Sequence, residues 1–353
     1  MKQFSRANHY VPQFYLKNWA TPDNKVWNYR LLVSNINVPI WAKGYLRSTA
    51  VQDSLYIRLD GDKEADDFET WLCQDVETPA EKSLSKAITD EILSKQDWNN
   101  LVRLLAAQFA RTPARLGKQL LFYNKILPNI VKDTMKSVAL RLEEYVRTGV
   151  MPKAEIDSRY QPVNKYTPMR VSIAQSTEGN NALLKLDMII GRGLWLAEVH
   201  RVTTTLVNVL KQHKWHILKA APGVNWCVSD DPVICLNYYG PNHYDFDGGF
   251  GRAGVEIIFP LSPKHIMFTH VGEAADMTHH QHDPVFSFLV QKFTIEHAFR
   301  YIYALNPWKQ IINCRPRVVS EKQFSAEQHM WRHWNDEQIH AERALYLSES
   351  TDH

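Results

Sequence analysis

The sequence is poor in cysteine, and the few cysteines that it has form no recognisable pair. Cys73, Cys227, Cys235 and Cys314 include no two that are spaced as Cys-x-x-Cys. The first residues also lack the apolar stretch of roughly 7–15 residues that marks a secretory signal. These absences disfavour a disulfide framework, so we expect reduced, buried thiols in a cytoplasmic protein.

Long apolar runs, internal repeats and a strong excess of one charge are also missing. No apolar run reaches the roughly 18–20 residues that a membrane span needs, so we expect a soluble protein without a membrane partner. The 41 Lys and Arg residues oppose 38 Asp and Glu residues, for a net charge of +3. A protein that binds bulk polyanions normally has a larger basic excess, so this balance neither requires nor excludes nucleic acid as a partner.

Familiar signatures of nucleotide, acyl-transfer and metal chemistry are missing as well. The stretch YYGPNHYDFDGGFGRAG lacks the spacing of a phosphate-binding loop, and its GFGRAG run, which has the spacing GxGxxG, is followed by the strand-like VEIIFPL rather than by a helix. No GxSxG, HExxH or kinase motif occurs. The run HHQHDP from His279 to Pro284 has the composition of a metal site but matches no strong zinc spacing. Because Asp283 and Pro284 fit the first positions of a helix, we interpret the run as a loop before a helix.

The opening of the chain, by contrast, is rich in aromatic residues. The stretch RANHYVPQFYLKNWA, residues 6–20, holds four aromatic side chains together with His9, Pro12 and Gln13. A disordered tail is poor in aromatic residues. We therefore expect this stretch to belong to the folded body of the protein.

Strand and helix patterns alternate along the rest of the chain. Hydrophobic residues make up 44% of the sequence and aromatic residues 11%, enough for a sizeable core. Strand-like texture occurs at 25–59, 225–236, 255–261 and 265–271, and in the short run QIINC. Helical character occurs at about 64–149, 180–218, 284–305 and 325–347. Residues 150–177 hold three prolines and little periodicity, which predicts a long loop.

Capping and proline signals locate several helix boundaries. Thr78, followed by Pro-Ala-Glu, predicts a helix start with a capping box. Ser94 with Asp97 three residues later predicts another. Interruptions are expected at Pro113 and Pro128, because proline lacks the N–H that a helix interior needs.

The order of strands, helices, strands and helices indicates an α+β fold rather than a doubly wound one. We predict a mixed or antiparallel sheet that is built from N-terminal and central strands and flanked by a helical bundle. The predicted organisation is a single α+β domain over residues 1–320, with a central helical region at about 64–218. A C-terminal helical extension is predicted over 321–353.

Two polar segments interrupt apolar patterns, so their side chains need hydrogen-bond partners inside the protein. Gln108 lies on the apolar face of a helix, Arg111 follows three residues later, and Pro113 frees a carbonyl group beside them. This segment is either a structural polar network or a pocket for an anionic ligand with Arg111 as its clamp. Asp230 and Asp231 likewise end a buried strand, where they either face a cleft or form a turn before a proline.

These segments together resemble a known family. The stretches HYVPQFYLKNW, QFARTPAR, SDDPV, FPLSP and RYIYALN, spread over roughly residues 6–306, are similar to the bacterial domain-of-unknown-function family 4238. The matching positions are His9, Tyr10, Pro12, Gln13, Leu16, Glu77, Gln108, Arg111, Thr112, Pro113, Ser229, Asp230 and Pro232. The family often has Asn where this chain has Asp231, which favours Asp230 as the carboxylate that matters. The resemblance implies a shared fold and residue set but no established reaction.

Two classes of function fit this residue set. The first is a phosphodiester hydrolase, nuclease-like, in a bacterial defence setting. It would have a catalytic site of His9, Gln13, Glu77, Gln108, Arg111 and Asp230. His9 would act as general base or ligand, Asp230 and Glu77 would join it in binding a divalent metal such as Mg²⁺ or Mn²⁺, and nucleic acid would be the partner. The second is a non-catalytic binding or sensing protein in which the same polar residues form a structural network.

Overall fold

The computed structural model describes residues 6–60, 63–150, 169–175, 182–273 and 277–347. Its strands are β1 (Ala7–His9), β2 (Lys25–Arg30), β3 (Leu32–Val33), β4 (Ala42–Tyr45), β5 (Val51–Asp53), β6 (Arg58–Asp60), β7 (Lys63–Ala65), β8 (Met169–Gln175), β9 (Ala182–Met188), β10 (His216–Lys219), β11 (Val228–Ser229), β12 (Ile234–Gly240), β13 (His243–Asp245), β14 (Val255–Ser262), β15 (His265–His270), β16 (Tyr301–Ala304) and β17 (Val318–Val319).

The helices follow the same order along the chain. They are α1 (Gln13–Leu16), α2 (Asp67–Trp71), α3 (Thr78–Ile88), α4 (Lys95–Ala110), α5 (Pro113–Thr148), α6 (Arg192–Arg201), α7 (Val207–Leu210), α8 (Pro284–His297), α9 (Ile311–Cys314) and α10 (Glu321–Leu347). Strands and helices are segregated along much of the chain, and the two larger sheets are antiparallel. The predicted α+β class is therefore confirmed.

The chain forms two compact units. The first contains residues 1–57, 66–115 and 199–335, and the second contains 58–65, 116–198 and 336–353. The predicted division into a domain over 1–320 and an extension over 321–353 stays a prediction.

The first unit is built on two sheets. The five-stranded sheet has the order β10-β15-β14-β12-β13, and the four-stranded sheet has the order β11-β16-β2-β4. Apolar residues of the larger sheet, such as Leu236 and Ile258, pack with Phe293 of α8 in one core cluster. Tyr29 of β2 and Ile302 of β16 pack in a second cluster. The second sheet thus joins the N-terminal strands β2 and β4 to the central strand β11 and the later strand β16, so the predicted combination of N-terminal and central strands occurs in it.

The aromatic opening stretch is part of this first unit. β1 pairs antiparallel with β5, and α1 begins directly after Pro12. The Tyr15 hydroxyl donates to the carbonyl of Pro260, and the Trp19 indole N–H donates to the carbonyl of Trp226 at 2.8 Å. Both rings are fully buried. The prediction that this stretch belongs to the folded body is confirmed.

The predicted helix start at Thr78 is wrong. Helix α2 continues through a π-helical segment, Leu72–Glu77, directly into α3, and Thr78 has helical backbone angles with no side-chain cap. Because the chain never leaves the helical conformation, the N–H groups that a capping box would satisfy already have helical partners. The wider π turn instead offsets the positions of side chains before and after it.

The boundaries of α4 agree with prediction, whereas one predicted interruption of α5 does not occur. The Ser94 hydroxyl and the Asp97 carboxylate form the reciprocal capping box at the start of α4. The chain leaves the helix at Arg111 and re-enters it at Pro113. Pro128, however, lies inside α5 without ending it. Its position is exposed, so water can satisfy the carbonyl that loses its donor.

Later segments include further corrections. Residues 182–188, predicted to be helical, form β9 and pair with β8, because cross-strand pairing overrides the helical preference of Leu and Lys. The run QIINC contains a short helix, α9, rather than a strand, since so short an apolar run is ambiguous. Most of the predicted loop 150–177 lies outside the described residues; of its described part, Val150 has no regular structure and Met169–Gln175 forms β8. Asp283 caps α8, which confirms the loop-and-helix interpretation of HHQHDP.

The second unit contains two hairpins, β6–β7 and β8–β9, and most of α5 and α6. Within it, the buried Arg192 guanidinium forms an ion pair of 2.9 Å with Glu342 of α10. The Gln338 side chain accepts the backbone N–H of Arg192 at 2.7 Å. Across the described part of the whole chain, none of the helices has a segment both long and apolar enough to cross a lipid bilayer.

Candidate functional site

An ion pair between Glu77 and Arg111 lies at the centre of the predicted site. Glu77 ends the π-helical segment, and Arg111 follows the last residue of α4. The Arg111 Nη1 atom donates to Glu77 Oε1 at 2.5 Å. The Arg111 side chain is 1% exposed, whereas that of Glu77 is 24% exposed. Glu77 can therefore meet a ligand from solution, but Arg111 cannot.

Gln108 finds the partners that its buried position requires. Its side-chain NH₂ donates to the carbonyl of Tyr10 at 2.8 Å, and its oxygen accepts from Arg111 Nε at 3.1 Å. Gln108 thus links the opening stretch to α4 and orients the guanidinium that holds Glu77. Because both Gln108 and Arg111 are fully buried, their roles in this geometry are to position other groups. The predicted use of Arg111 as a clamp on substrate conflicts with this burial.

Glu69 of α2 is a part of the site that the sequence did not indicate. Burial raises the pKa of the Glu69 carboxyl to about 7; the nearby charge of Glu77 adds to the rise, and Arg111 opposes it. The Asn8 side chain also bonds to Glu69. A carboxyl group that titrates near neutral pH can donate a proton or accept one. The only sequence signal was its place beside Phe68 on an amphipathic helix, which does not distinguish it from a surface acid.

His9 of β1 completes the group of interacting charges. Burial lowers the pKa of the His9 imidazole, while the backbone of Leu46 and Arg47 and the charge of Glu77 act in the opposite direction. Its Nε2 atom is buried and has no hydrogen-bond partner among the residues that the structure describes. We call His9, Glu69, Glu77 and Arg111 the acid–base cluster. All four belong to the first unit.

Gln13 lies at a surface cleft rather than inside the cluster. It is the first residue of α1, is exposed, and lines a cleft of about 530 Å³ together with Lys17 and Arg47. Leu46, whose backbone interacts with the His9 ring, also lines this cleft. Leu46 and Arg47 therefore connect the two features: they line the cleft, and their backbone interacts with His9 of the acid–base cluster. We call this surface cleft the basic cleft.

Asp230, the carboxylate that the sequence favoured, has a different environment. Its Oδ1 accepts the backbone N–H of Phe299 at 3.0 Å, and its Oδ2 accepts that of Arg300 at 2.9 Å. Arg300 Nε lies 3.7 Å from Oδ2. Burial raises the pKa of Asp230 to about 6, and Arg300 opposes the rise. The carboxylate is buried and fastens the corner between α8 and β16, so it is occupied by structural partners.

Asp231 is buried as well, against Thr112 and His297. The Thr112 hydroxyl donates to Asp231 Oδ1 at 2.9 Å, and His297 Nδ1 lies 2.9 Å from the Asp231 carbonyl oxygen. Tyr10 connects the two regions, since its carbonyl accepts from Gln108 and its hydroxyl accepts from Arg300 at 3.2 Å. The motifs QFARTP and SDDP are thus joined in one hydrogen-bonded network.

The predicted metal ligands do not converge. His9 and Glu77 interact, but Asp230 has its own partners, and the described residues contain no group of three or more His, Cys, Asp or Glu side chains arranged to hold a metal ion. Of the six predicted catalytic residues, the structure brings His9, Glu77, Gln108 and Arg111 together. It places Gln13 at the adjacent cleft and Asp230 in the structural corner.

The fold and this network define an α+β protein with a partly buried acid–base cluster beside a basic cleft. The model of the family described as "Protein of unknown function (DUF4238)" matches residues 7–308. The chain belongs to this family, which confirms the resemblance that its motifs indicated. No curated protein and no solved structure matches the chain.

Proposed function

We propose that this protein hydrolyses phosphodiesters, with His9 as general base and Glu69 as general acid. The attacking water loses a proton to the His9 imidazole as its oxygen bonds to phosphorus. The bond from phosphorus to the leaving oxygen breaks, and that oxygen takes the proton of the Glu69 carboxyl group. Each such proton transfer contributes about 10²- to 10⁴-fold to a rate.

The observation that carries the proposal is the opposed perturbation of two titratable groups, His9 and Glu69, that both interact with Glu77 and Arg111. Burial raises the pKa of Glu69 to about 7 and lowers the pKa of His9. Near neutral pH, Glu69 can therefore hold a proton while His9 lacks one. Titratable groups whose surroundings push their pKa values apart in this way are typical of acid–base pairs in enzymes.

The phosphodiester class is supported by the charge of the adjacent cleft. Lys17 and Arg47 are exposed there and can neutralise a phosphate, a task for which Arg111 is too deeply buried. Arg111 instead holds Glu77 and adjusts the potential at Glu69. The site needs no metal in this scheme. The divalent metal and the place in bacterial defence stay predictions.

The non-catalytic alternative also has a specific observation in its favour. Gln108, Arg111 and Asp230 are fully buried and bonded to protein groups, as expected of a structural network. In that case the cluster would stabilise the fold, and the basic cleft would only bind its ligand.

Hydrolysis assays on matched variants test the proposal. The full-length chain, Glu69→Gln and Glu81→Gln are incubated with bis(p-nitrophenyl) phosphate and with labelled single-stranded DNA and RNA. Each reaction is run with EDTA and with Mg²⁺ or Mn²⁺. Glu81 is an exposed carboxylate on α3 and serves as the control.

We expect hydrolysis in EDTA, a loss of about 100-fold or more in Glu69→Gln, and a rate within twofold of wild type in Glu81→Gln. An absence of hydrolysis under all conditions would contradict the proposal and favour the non-catalytic alternative. Activity that depends strictly on Mg²⁺ or Mn²⁺ would contradict the metal-free scheme and support the predicted divalent metal.

A further inference from the structure

The basic cleft carries an excess of positive charge on the protein surface. Lys17 and Arg47 are exposed at its lining. The carboxylate of Asp23, which also lines it, is bound by Lys25 at 3.1 Å. Lys43, on the adjoining edge strand β4, is exposed and adds a further cation. Lys17, Lys43 and Arg47 form no ion pair with a carboxylate in the part of the chain that the structure describes, so they can meet an anion from solution, although the whole chain is close to neutral.

Aromatic rings alternate with these cations along the neighbouring pair of strands. In the register of β2 and β4, Lys25 lies opposite Tyr45, and Trp27 lies opposite Lys43. The Lys25 ammonium is 4.8 Å from the centre of the Tyr45 ring, and the Lys43 ammonium is 5.2 Å from that of Trp27. Each strand therefore contributes one ring and one cation to a row of pairs.

Tyr45 is the most accessible of these rings. Its residue is 50% exposed, and the Arg47 guanidinium lies 5.5 Å from the ring centre, in addition to Lys25. The cations over the ring fix its orientation and place positive charge where a backbone phosphate would pass, and a base that stacks on Tyr45 displaces one of them from the ring face. An exposed aromatic ring among cations, at the edge of a sheet, is an arrangement that accepts unpaired bases.

We propose that the basic cleft binds single-stranded nucleic acid, with a base stacked on Tyr45 and backbone phosphates on Lys17, Lys43 and Arg47. A duplex would not fit this scheme, because its bases are already stacked on one another and present no free face. An acidic polypeptide would satisfy the cations but would leave the ring unused.

The position of the cleft connects this binding mode to the acid–base cluster. The backbone of Leu46 and Arg47, next to Tyr45 in the sequence, interacts with the His9 ring. A strand whose base stacks on Tyr45 would therefore have its phosphates near His9. The inference rests on the proposed hydrolysis for its biological meaning, and it names single strands as the substrate class.

Binding is measured by fluorescence polarisation with a labelled 12-nucleotide oligothymidylate in EDTA. All proteins carry Glu69→Gln, so that binding is observed without cleavage. To this background we add Tyr45→Ala, Tyr45→Phe, Arg47→Ala or Tyr239→Ala. Tyr239 is 59% exposed elsewhere on the surface and serves as the matched control.

We expect Tyr45→Ala to weaken binding about tenfold to hundredfold, the usual loss for one stacked base. Tyr45→Phe, which keeps the ring, and Tyr239→Ala should stay within about threefold of the background. Arg47→Ala should weaken binding and reduce its dependence on salt concentration, since each phosphate contact contributes to that dependence. A duplex of the same length and a polyglutamate competitor should both bind more weakly than the single strand.

Three results would overturn the inference: no binding at micromolar protein in 50 mM salt, equal binding by Tyr45→Ala, or equal competition by polyglutamate. The last would identify an acidic polypeptide as the partner. Tyr45-dependent binding by a protein whose wild type hydrolyses nothing would refute the proposed function alone. If the wild type hydrolyses nucleic acid but Tyr45→Ala binds the oligonucleotide as tightly as the background does, this inference alone is refuted.

Discussion

Glu69 is the side chain on which the proposed chemistry depends most directly, and its titration predicts a pH profile. His9 acts as a base only without its proton, so kcat/KM should rise as pH increases through its lowered pKa, below 6.5. Glu69 acts as an acid only with its proton, so kcat/KM should fall as pH increases through about 7. We expect a bell-shaped profile with its maximum between these limits.

The profile is measured as kcat/KM from pH 4 to pH 9 with the phosphodiester substrate that gives the highest rate. Glu69→Gln, besides lowering the rate, should abolish the falling limb, because Gln has no proton to lose. Glu81→Gln should keep both limbs. A rate that continues to increase through pH 8 would show that Glu69 is not the acid.

Asp230 leads to a prediction about stability rather than activity. Its carboxylate satisfies two buried backbone N–H groups and faces Arg300. Asp230→Ala should lower the free energy of unfolding by about 2–4 kcal/mol, because these groups would remain buried without a partner. Urea unfolding followed by tryptophan fluorescence measures the change.

The neighbouring substitution Asp231→Asn is the control for Asp230→Ala. Its Oδ1 can still accept the Thr112 hydroxyl, so we expect a loss of about 1 kcal/mol or less. If Asp230→Ala unfolds at the wild-type urea midpoint but loses all hydrolysis, the carboxylate is catalytic, and our structural interpretation of it is wrong.

The capping box at the start of helix α4, which the sequence predicted, leads to a prediction about stability. Besides its reciprocal bonds with Ser94, the Asp97 carboxylate accepts the Ser83 hydroxyl at 3.0 Å and pairs with Lys86 at 3.0 Å, both on α3. Ser94→Ala should cost about 1 kcal/mol of unfolding free energy. Asp97→Ala should cost more, since it also removes the bonds to α3.

The same carboxylate makes the stability of this helix pair depend on pH. Hydrogen bonds from Ser94 and Lys86 lower the pKa of Asp97. Its contribution is therefore complete above the pKa of the unfolded chain, near 4, and is lost as pH falls further. Urea unfolding at pH 7 and pH 3 compares wild type, Asp97→Ala and the exposed control Ser85→Ala. An equal acid sensitivity in Asp97→Ala would contradict this account.

Helix boundaries were predictable where a local signal decides them, and not elsewhere. The caps at Ser94 and Asp283 depend on residues within one turn, and the structure has both. Thr78 has the same kind of signal but lies inside a continuous helix, because the preceding residues stay helical through a π segment. That π segment places Glu77 beside Arg111. The periodicity of apolar residues in the sequence did not predict a π turn.

On the scale of the complete chain, overall charge proved a poor guide to local charge. The net charge of +3 neither required nor excluded a polyanion site. Yet Lys17 after α1 and Arg47 after β4 line one cleft, and Lys25 and Lys43 lie on the adjoining strands β2 and β4. Electrostatic potential depends on which charges the fold brings together, and composition averages over them.

The sequence by itself determined the fold class, the family, the helix caps at Ser94 and Asp283 and the need of Gln108 for buried partners. The family follows from the resemblance of the motifs, and the other features follow from local spacing or from a polar group on an apolar face. Only the tertiary structure decided that Glu69 joins Glu77, that Asp230 binds the backbone at Phe299 and Arg300, and that Tyr45 faces the basic cleft. The physical reason is distance along the chain: a side chain's pKa and partners depend on neighbours that only long-range packing brings within a few ångströms.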